Sequence, residues 1–124
     1  MSENHQPILR TVPRPGDINS NGHIFGGWVL SQMDIAGGIV ARREADGAVA
    51  TVAIEAMTFI APVLMTDIVS VHAEVVRRGR TSIGIKIEVF ADRDSDQAVK
   101  VTEGLFTFVA LDARHKPRPL PIRK

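Results

Sequence analysis

The sequence contains no cysteine among its 124 residues. A thiol nucleophile, a disulfide framework and a zinc–thiolate site are therefore excluded. An excess of one charge is also missing, because 15 basic residues nearly balance 14 acidic ones and leave a net charge of +1. Since a nucleic-acid-binding protein is expected to present a basic face, this balance argues against nucleic acid as a partner.

Long apolar runs are absent as well. No run approaches the ~20 residues that cross a bilayer, and the polar residues 1–6 lack the apolar core of a signal peptide. We therefore expect no membrane span and a cytoplasmic location. The length, with 44% hydrophobic residues, predicts a single domain over residues 1–124 with a small core and extended tails at 1–7 and 114–124.

Several catalytic motifs are missing. The sequence has no G-x-S-x-G elbow, no G-x-x-x-x-G-K-[ST] phosphate loop and no H-E-x-x-H metal motif. Ser31 has no evident histidine partner, which disfavours serine hydrolase chemistry. His5, His72 and His115 lack metal-ligand spacing to another histidine or to an acid, so no metal site is expected.

The apolar pattern predicts one helix followed by strands. Residues 26–43 are predicted to be helical because Phe25, Val29, Gln32, Ala36 and Ile39-Val40 fall close to one stripe at helical spacing. Gly37-Gly38 lies inside this helix, where each glycine costs roughly 1 kcal/mol relative to alanine. We therefore expect the helix to pack closely there against a sheet.

Alternating apolar and polar residues predict four strands, at 49–60, 68–76, 81–90 and 101–111. One helix followed by a four-stranded meander is an α+β fold. The last strand is apolar on both faces, with Phe106 and Phe108 on one and Val101, Leu105 and Val109 on the other. A single helix covers only one face of a sheet, so this strand predicts a partner subunit.

The segment over residues 19–34 carries the strongest functional pattern. A polar turn leads into Gly26-Gly27, and a helix follows with Asp34 about two turns inside it. A helix start is rich in free N–H groups and carries partial positive charge, and paired glycines let a ligand approach the backbone. An acid near such a start is suited to activating water against a carbonyl group.

This segment resembles the signature of the hotdog-fold acyl-CoA thioesterases, in particular their YciA-like branch. The shared residues are Asn19-x-Asn21-Gly22-x-Ile24-Phe25-Gly26-Gly27-Trp28-x-x-Ser31-Gln32-Met33-Asp34. The similarity continues through Thr51-Val52, Glu55, Met57-Thr58-Phe59, Gly79-x-Thr81-Ser82, Thr102-Glu103 and Lys116-Pro117-Arg118-x-Leu120-Pro121.

The resemblance implies an antiparallel sheet wrapped around one long central helix. It also implies hydrolysis of acyl-CoA to free acid and coenzyme A, without a metal or prosthetic group, because coenzyme A is part of substrate and product. The implied assembly is a dimer or a hexamer built as a trimer of dimers.

The resemblance also implies roles for individual residues. Asp34 would be a general base or, alternatively, a nucleophile, and Asn19 would orient water or the thioester. The backbone of Gly26 and Gly27 would stabilise the oxyanion. The substrate-binding residues would be His23, Phe25, Arg78, Arg80, Thr81 and Ser82, the two arginines lying near the phosphates of coenzyme A.

Each of these roles has a simpler alternative. Asn19 and Asn21 suit turns and caps, and we assign that role to Asn21. Arg78 and Arg80 suit a solvated hairpin. Two other functions also stay open. His23 and Asp34 could serve an acyl-thioester hydratase or dehydratase on the same fold, and a non-catalytic acyl-CoA-binding protein would need an effector segment, for which this chain has only short tails.

Overall fold

The computed structural model describes residues 6–93 and 97–122. In chain order the elements are β1 (Leu9–Thr11), a turn of 3₁₀ helix (Pro15–Asp17), α1 (Gly26–Ala45), β2 (Val49–Phe59), β3 (Ile68–Arg78), β4 (Ser82–Arg93) and β5 (Gln97–Ala110). The strands form one antiparallel sheet in the order β1-β3-β4-β5-β2. This arrangement confirms the predicted α+β class.

The predicted four-stranded meander is wrong in two respects. Only β3, β4 and β5 follow one another as neighbours, because β2 pairs with β5 at one edge of the sheet. The other edge is β1, which pairs with β3 and was not predicted. Its three residues are too few to show an alternation. The order was missed because alternation specifies which face of a strand is buried and not which strand lies beside it.

The buried face of α1 consists of Val29, Met33, Ala36, Gly37, Ala41 and Ala45. The predicted stripe shares Val29 and Ala36 with this face. It also included Phe25, which is 49% exposed, and three residues that are only half-buried, namely Gln32, Ile39 and Val40. The observed face follows steps of three and four residues from Val29. The helix ends two residues later than predicted, where Asp46 adopts a left-handed conformation with φ of 56°.

The core lies between α1 and the sheet, since the helix contacts β2, β3, β4 and β5. The alternating apolar residues of β4 all face this core and are fully buried; they are Ile83, Ile85, Ile87 and Val89. Phe106 and Phe108 of β5 fill the space beside them. On the opposite face of β5, Leu105 and Val109 are only half-buried in a single chain.

Gly37 and Gly38 differ in their surroundings. A Cβ added to Gly37 would lie 2.7 Å from Ile87 Cδ1 and 3.0 Å from Phe108 Cζ, whereas a Cβ added to Gly38 would meet nothing within 4 Å. The close packing predicted from the glycine pair is therefore confirmed for Gly37 and wrong for Gly38.

This difference predicts opposite effects on stability. Both Gly37→Ala and Gly38→Ala gain helix propensity, roughly 1 kcal/mol, but only Gly37→Ala overpacks the core. We expect the free energy of unfolding of Gly37→Ala to fall about 1–3 kcal/mol below that of Gly38→Ala. Urea denaturation of the two variants measures the difference. Equal stabilities would show that the core accommodates the added methyl group at residue 37 without a loss of stability.

The C-terminal tail is extended beyond a turn at residues 112–115, but it is held against the fold. The Arg118 guanidinium donates to the carbonyl oxygens of Leu111 and Ala45 at 2.9 and 2.8 Å, and Leu120 is buried. Backbone N–H groups of Lys116 and Arg114 donate to Asp112, and these bonds lower the pKa of its carboxyl group. The remaining parts of the predicted tails, residues 1–5 and 123–124, lie outside the described residues.

Among the residues described, no helix is both long enough and apolar enough to cross a membrane.

Candidate active site

The turn before α1 is held by the side chain of Asn19. Its Oδ1 accepts hydrogen bonds from the backbone N–H groups of Asn21, at 2.9 Å, and His23, at 3.1 Å. Asn21 lies inside this turn as predicted, and the Gly22 N–H group closes the turn on the carbonyl oxygen of Asn19 at 3.0 Å, but the side chain that holds the turn is that of Asn19. The fixed carbonyl end leaves the amide nitrogen of Asn19 without a hydrogen bond to any described residue, so a donor is left for a ligand.

The start of α1 is uncapped. Phe25 at the N-cap supplies no side-chain hydrogen bond, and the carbonyl oxygen of Phe25 accepts from the N–H groups of Trp28 and Val29. Within the described part of the chain, the N–H groups of Gly26 and Gly27 have no partner. A Cβ on Gly27 would meet nothing within 4 Å, while one on Gly26 would lie 3.5 Å from the Phe59 ring. Unpaired N–H groups at a helix start attract an anion or a developing oxyanion.

Asp34 lies on the exposed side of α1, and a residue of the sheet holds its carboxylate in place. Its Oδ1 accepts a hydrogen bond from Thr51 Oγ1 of β2 at 2.6 Å. A short bond from a hydroxyl group to a carboxylate fixes the orientation of the carboxylate. Both residues line an open cavity of about 330 Å³, the Asp34 cavity, together with Gly27, Leu30, Ser31 and Ile54.

Thr51 is a candidate site residue that sequence reasoning missed. The resemblance included Thr51 without giving it a role, because nothing in a linear sequence shows that β2 passes beside α1. Alternation also placed Thr51 among residues of an ordinary strand face. The signal lies in the pairing of β2 with β5 at the edge of the sheet, which is a tertiary feature.

A second cavity, of about 280 Å³, lies on another side of the helix start. We call it the Asn19 cavity. Four residues with polar groups line it, namely Asn19, His23, Gly26 and Thr102, and the rest of its lining is apolar: Ile24, Val29, Phe59, Ile60, Ala61, Pro62 and Val63. The structure thus brings Asn19, His23 and Gly26 together, and it leaves Asp34 in a different cavity of the same chain.

The hairpin residues lie at the other end of α1. Arg78 Nε donates to Glu44 Oε2 at 2.9 Å, and Arg78 Nη2 donates to the carbonyl oxygen of Pro121. Glu44 is 18 residues from Gly26, which is about 27 Å of helix. Within one chain, therefore, the hairpin does not meet the Asn19 turn.

The other three hairpin residues differ in exposure. Arg80 is exposed, whereas Thr81 and Ser82 are half-buried. The backbone closes the hairpin through hydrogen bonds from Gly79 N–H to the Ser82 carbonyl oxygen, at 2.8 Å, and from Ala110 N–H to the Thr81 carbonyl oxygen, at 2.9 Å. Only Arg80 presents its charged end freely to solvent in this loop.

No cluster of three or more histidine, aspartate and glutamate side chains with the geometry to hold a metal ion occurs among residues 6–93 and 97–122. The candidate site offers one carboxylate, one amide and the N–H groups of a helix start.

One long helix packed on an antiparallel sheet, with an uncapped glycine pair at its start and a carboxylate on its exposed side, is the architecture of a hotdog-fold thioesterase. Residues 21–98 match the thioesterase superfamily, and the chain belongs to this family. The family and fold implied by the sequence resemblance are confirmed.

Individual relatives are similar in sequence or structure to this chain over nearly its whole length. The acyl-CoA thioester hydrolase YciA of Salmonella typhimurium is 49% identical over 120 residues, which are 94% of this chain and 90% of the relative. The solved hexameric thioesterase from Yersinia pestis is 46% identical with a TM-score of 0.91, covering 98% of this chain and 100% of that one. A hexameric hotdog fold thioesterase of Campylobacter jejuni is 37% identical with a TM-score of 0.91, covering 97% and 93%.

Proposed function

We propose that this chain is an acyl-CoA thioesterase that hydrolyses acyl-CoA thioesters to the free acid and coenzyme A. The observation that carries the proposal is the carboxylate of Asp34, oriented by Thr51 at 2.6 Å on a helix whose first N–H groups are unpaired. The thioester hydrolase activity named for the YciA relatives supports it. Coenzyme A enters as part of the substrate and leaves as product, and the proposed reaction uses no retained cofactor. A cytoplasmic location remains part of the proposal.

In the proposed reaction, Asp34 removes a proton from water as the water oxygen attacks the thioester carbon. The carbonyl oxygen becomes negative and is stabilised by the N–H groups of Gly26 and Gly27. Collapse of this intermediate breaks the carbon–sulfur bond and expels the thiolate of coenzyme A, which takes up a proton. The Thr51 hydroxyl group donates to Oδ1 of Asp34, so the other carboxylate oxygen is left to bind water. Attack by Asp34 itself, forming an anhydride that water then opens, uses the same groups.

A second copy of the chain completes the proposed site. Asn19 and Asp34 line different cavities, and Gly27 and Asp34 are seven residues apart, which is about 10 Å along α1. Two antiparallel helices related by a two-fold axis would place the start of one beside Asp34 of the other. The edge strand β2 and the residue that follows it offer a surface for such pairing, since Val52, Phe59 and Ile60 are each more than half exposed.

The hexameric assemblies of the thioesterases from Yersinia pestis and Campylobacter jejuni support a trimer of such dimers. In this assembly His23 and Phe25, at the helix start, would contact the substrate. Arg80 is the better candidate for the phosphates of coenzyme A, because Arg78 already binds Glu44 and the tail. Guanidinium groups suit phosphate recognition, and Thr81 and Ser82 would support the loop that presents Arg80.

The proposal is tested by measuring thiol release from a panel of acyl-CoA substrates. We expect free coenzyme A to appear in proportion to enzyme. Hydration of an enoyl-CoA without thiol release would identify a hydratase instead, and binding without turnover would identify an acyl-CoA-binding protein. Light scattering on the same sample should give a multiple of the 13.5 kDa chain mass, and a monomer would contradict the shared site.

Thr51→Val is expected to lower kcat by about 10- to 100-fold. A hydrogen bond to a charged group contributes roughly 1.5–3 kcal/mol, and about 1.4 kcal/mol corresponds to a tenfold rate change. Valine keeps the shape of threonine and removes only the hydroxyl group. Steady-state kinetics measure the effect, and Thr51→Ser, which keeps the donor, is the matched control. Equal kcat values for the valine and serine variants would remove Thr51 from the site.

A further inference from the structure

Phe59 is an exposed aromatic residue beside the start of α1. It is the last residue of the edge strand β2, and 56% of its surface is accessible, whereas Phe106 and Phe108 of the neighbouring strand are buried. Its ring atoms Cε1 and Cζ each lie 3.5 Å from the position that a Cβ on Gly26 would occupy. Because glycine has no side chain, nothing on Gly26 separates the ring from the backbone of the helix start. A ring in this position offers apolar surface to a ligand bound there.

The ring and the first N–H group of α1 border the same space. Phe59 and Gly26 both line the Asn19 cavity, and the Gly26 N–H group has no partner within the described part of the chain. A thioester carbonyl oxygen bound to this N–H group would lie about 2.9 Å from the nitrogen. The carbon atoms that follow the carbonyl along the acyl chain then lie within reach of the Phe59 ring.

The lining of the cavity selects the half of the substrate that passes the ring. Most of the residues around the cavity are apolar, among them Ile60, Pro62 and Val63. The carbonyl carbon of acyl-CoA carries an apolar acyl chain on one side and, through sulfur, the amide-containing arm of coenzyme A on the other. Burying amide groups without hydrogen-bond partners is costly. The acyl chain is therefore the half that enters this cavity.

We propose that Phe59 is a specificity-determining residue, and that its ring binds the first carbon atoms of the acyl chain after the thioester carbonyl. This inference rests on the proposed thioesterase function and names a substrate class: acyl groups with an alkyl segment of butyryl length or longer are preferred to acetyl. An acetyl group has only a methyl group at this place and covers little of the ring. Carbon atoms further along a long chain lie past the ring and add nothing to this contact.

The test compares kcat/KM for acetyl-, butyryl- and octanoyl-CoA in wild type, Phe59→Ala and Phe59→Leu. Burial of one methylene group corresponds to a change of about fourfold. We expect Phe59→Ala to lower the butyryl-to-acetyl ratio by about fourfold or more, whereas Phe59→Leu, which keeps an apolar side chain, should retain most of the preference. The octanoyl-to-butyryl ratio should stay unchanged, because both chains place the same carbon atoms beside the ring.

Val52→Ala is the matched control on the same strand. Val52 is 57% exposed and belongs, like Phe59, to the surface proposed to pair with a second copy. Among the described residues it lines neither the Asn19 cavity nor the Asp34 cavity, so its truncation should leave both substrate ratios unchanged. Light scattering compares the assembly of all the variants.

An unchanged butyryl-to-acetyl ratio in Phe59→Ala, with or without a change in assembly, would overturn the inference and leave Phe59 as a contact between subunits. A fall confined to the octanoyl-to-butyryl ratio would overturn it as well, because the ring would then meet the far end of the chain. Absence of thiol release by the wild type from all three substrates would instead refute the proposed function.

Discussion

Asp34→Asn is expected to lower kcat by about 10²–10⁴-fold, the usual contribution of a general base. Asparagine keeps the size of the side chain, and its carbonyl oxygen can still accept the bond from Thr51, but it cannot remove a proton from water. KM should change much less, because the carboxylate is not needed to bind the nucleotide part of the substrate. Steady-state thiol release measures both constants, and thermal denaturation verifies that the variant is folded.

The matched control is Asp46→Asn at the opposite end of α1. Asp46 is exposed and left-handed, with φ of 56°, a conformation that asparagine also tolerates. The Asp46→Asn variant should therefore fold normally and keep the kcat of the wild type. A folded Asp34→Asn variant with nearly full kcat would remove Asp34 from the chemistry.

Mixing inactive variants tests whether the site is shared between subunits. If Asp34 of one chain acts with Asn19 of another, a hybrid of Asp34→Asn and Asn19→Ala subunits contains one site with both residues intact. Activity should then reappear when the two inactive proteins are unfolded together and reassembled. No recovery, with normal assembly, would place the two residues in the same chain's site.

The sequence was sufficient for the parts of the fold that depend on local pattern. The helix over residues 26–43 and the alternation of Ile83, Ile85 and Ile87 follow from periodicities that a strand or helix imposes on its own residues. The edge position of β2 and the existence of β1 depend on pairing between distant segments. Local pattern carries no information on that pairing, so both were missed.

The candidate site divides in the same way. Asn19, Gly26 and Asp34 stand out because they lie on one short segment beside a helix start. Their division between two cavities depends on the direction in which each residue faces on α1, and the contact of Thr51 with Asp34 spans 17 residues. The ion pair of Arg78 with Glu44 spans 34 residues, and it explains why a hairpin arginine that suits phosphate binding has a structural partner instead.

The wall of the Asn19 cavity depends on a buried ion pair. Asp67, with 1% of its side chain exposed, accepts from Arg93 Nε at 3.0 Å and from the Leu64 N–H group at 2.7 Å. Arg93 Nη2 also donates to the carbonyl oxygen of Pro62, and Pro62 lines the cavity. The pair therefore joins the end of β4 to the segment between β2 and β3.

Asp67→Asn is expected to lower the free energy of unfolding by about 3 kcal/mol. Removing one charge of a buried pair leaves the other uncompensated, which costs about 3–5 kcal/mol, and the 26% exposure of Arg93 places the effect at the lower end. Asp92→Asn, next to Arg93 on β4, is the matched control, because the pair of Asp92 with Arg10 is exposed, at 38% and 54%, and should contribute at most about 1 kcal/mol. Urea denaturation distinguishes the two. Similar losses for both variants would show that the Asp67 pair contributes no more than a surface contact, and that the cavity wall is held by apolar packing alone.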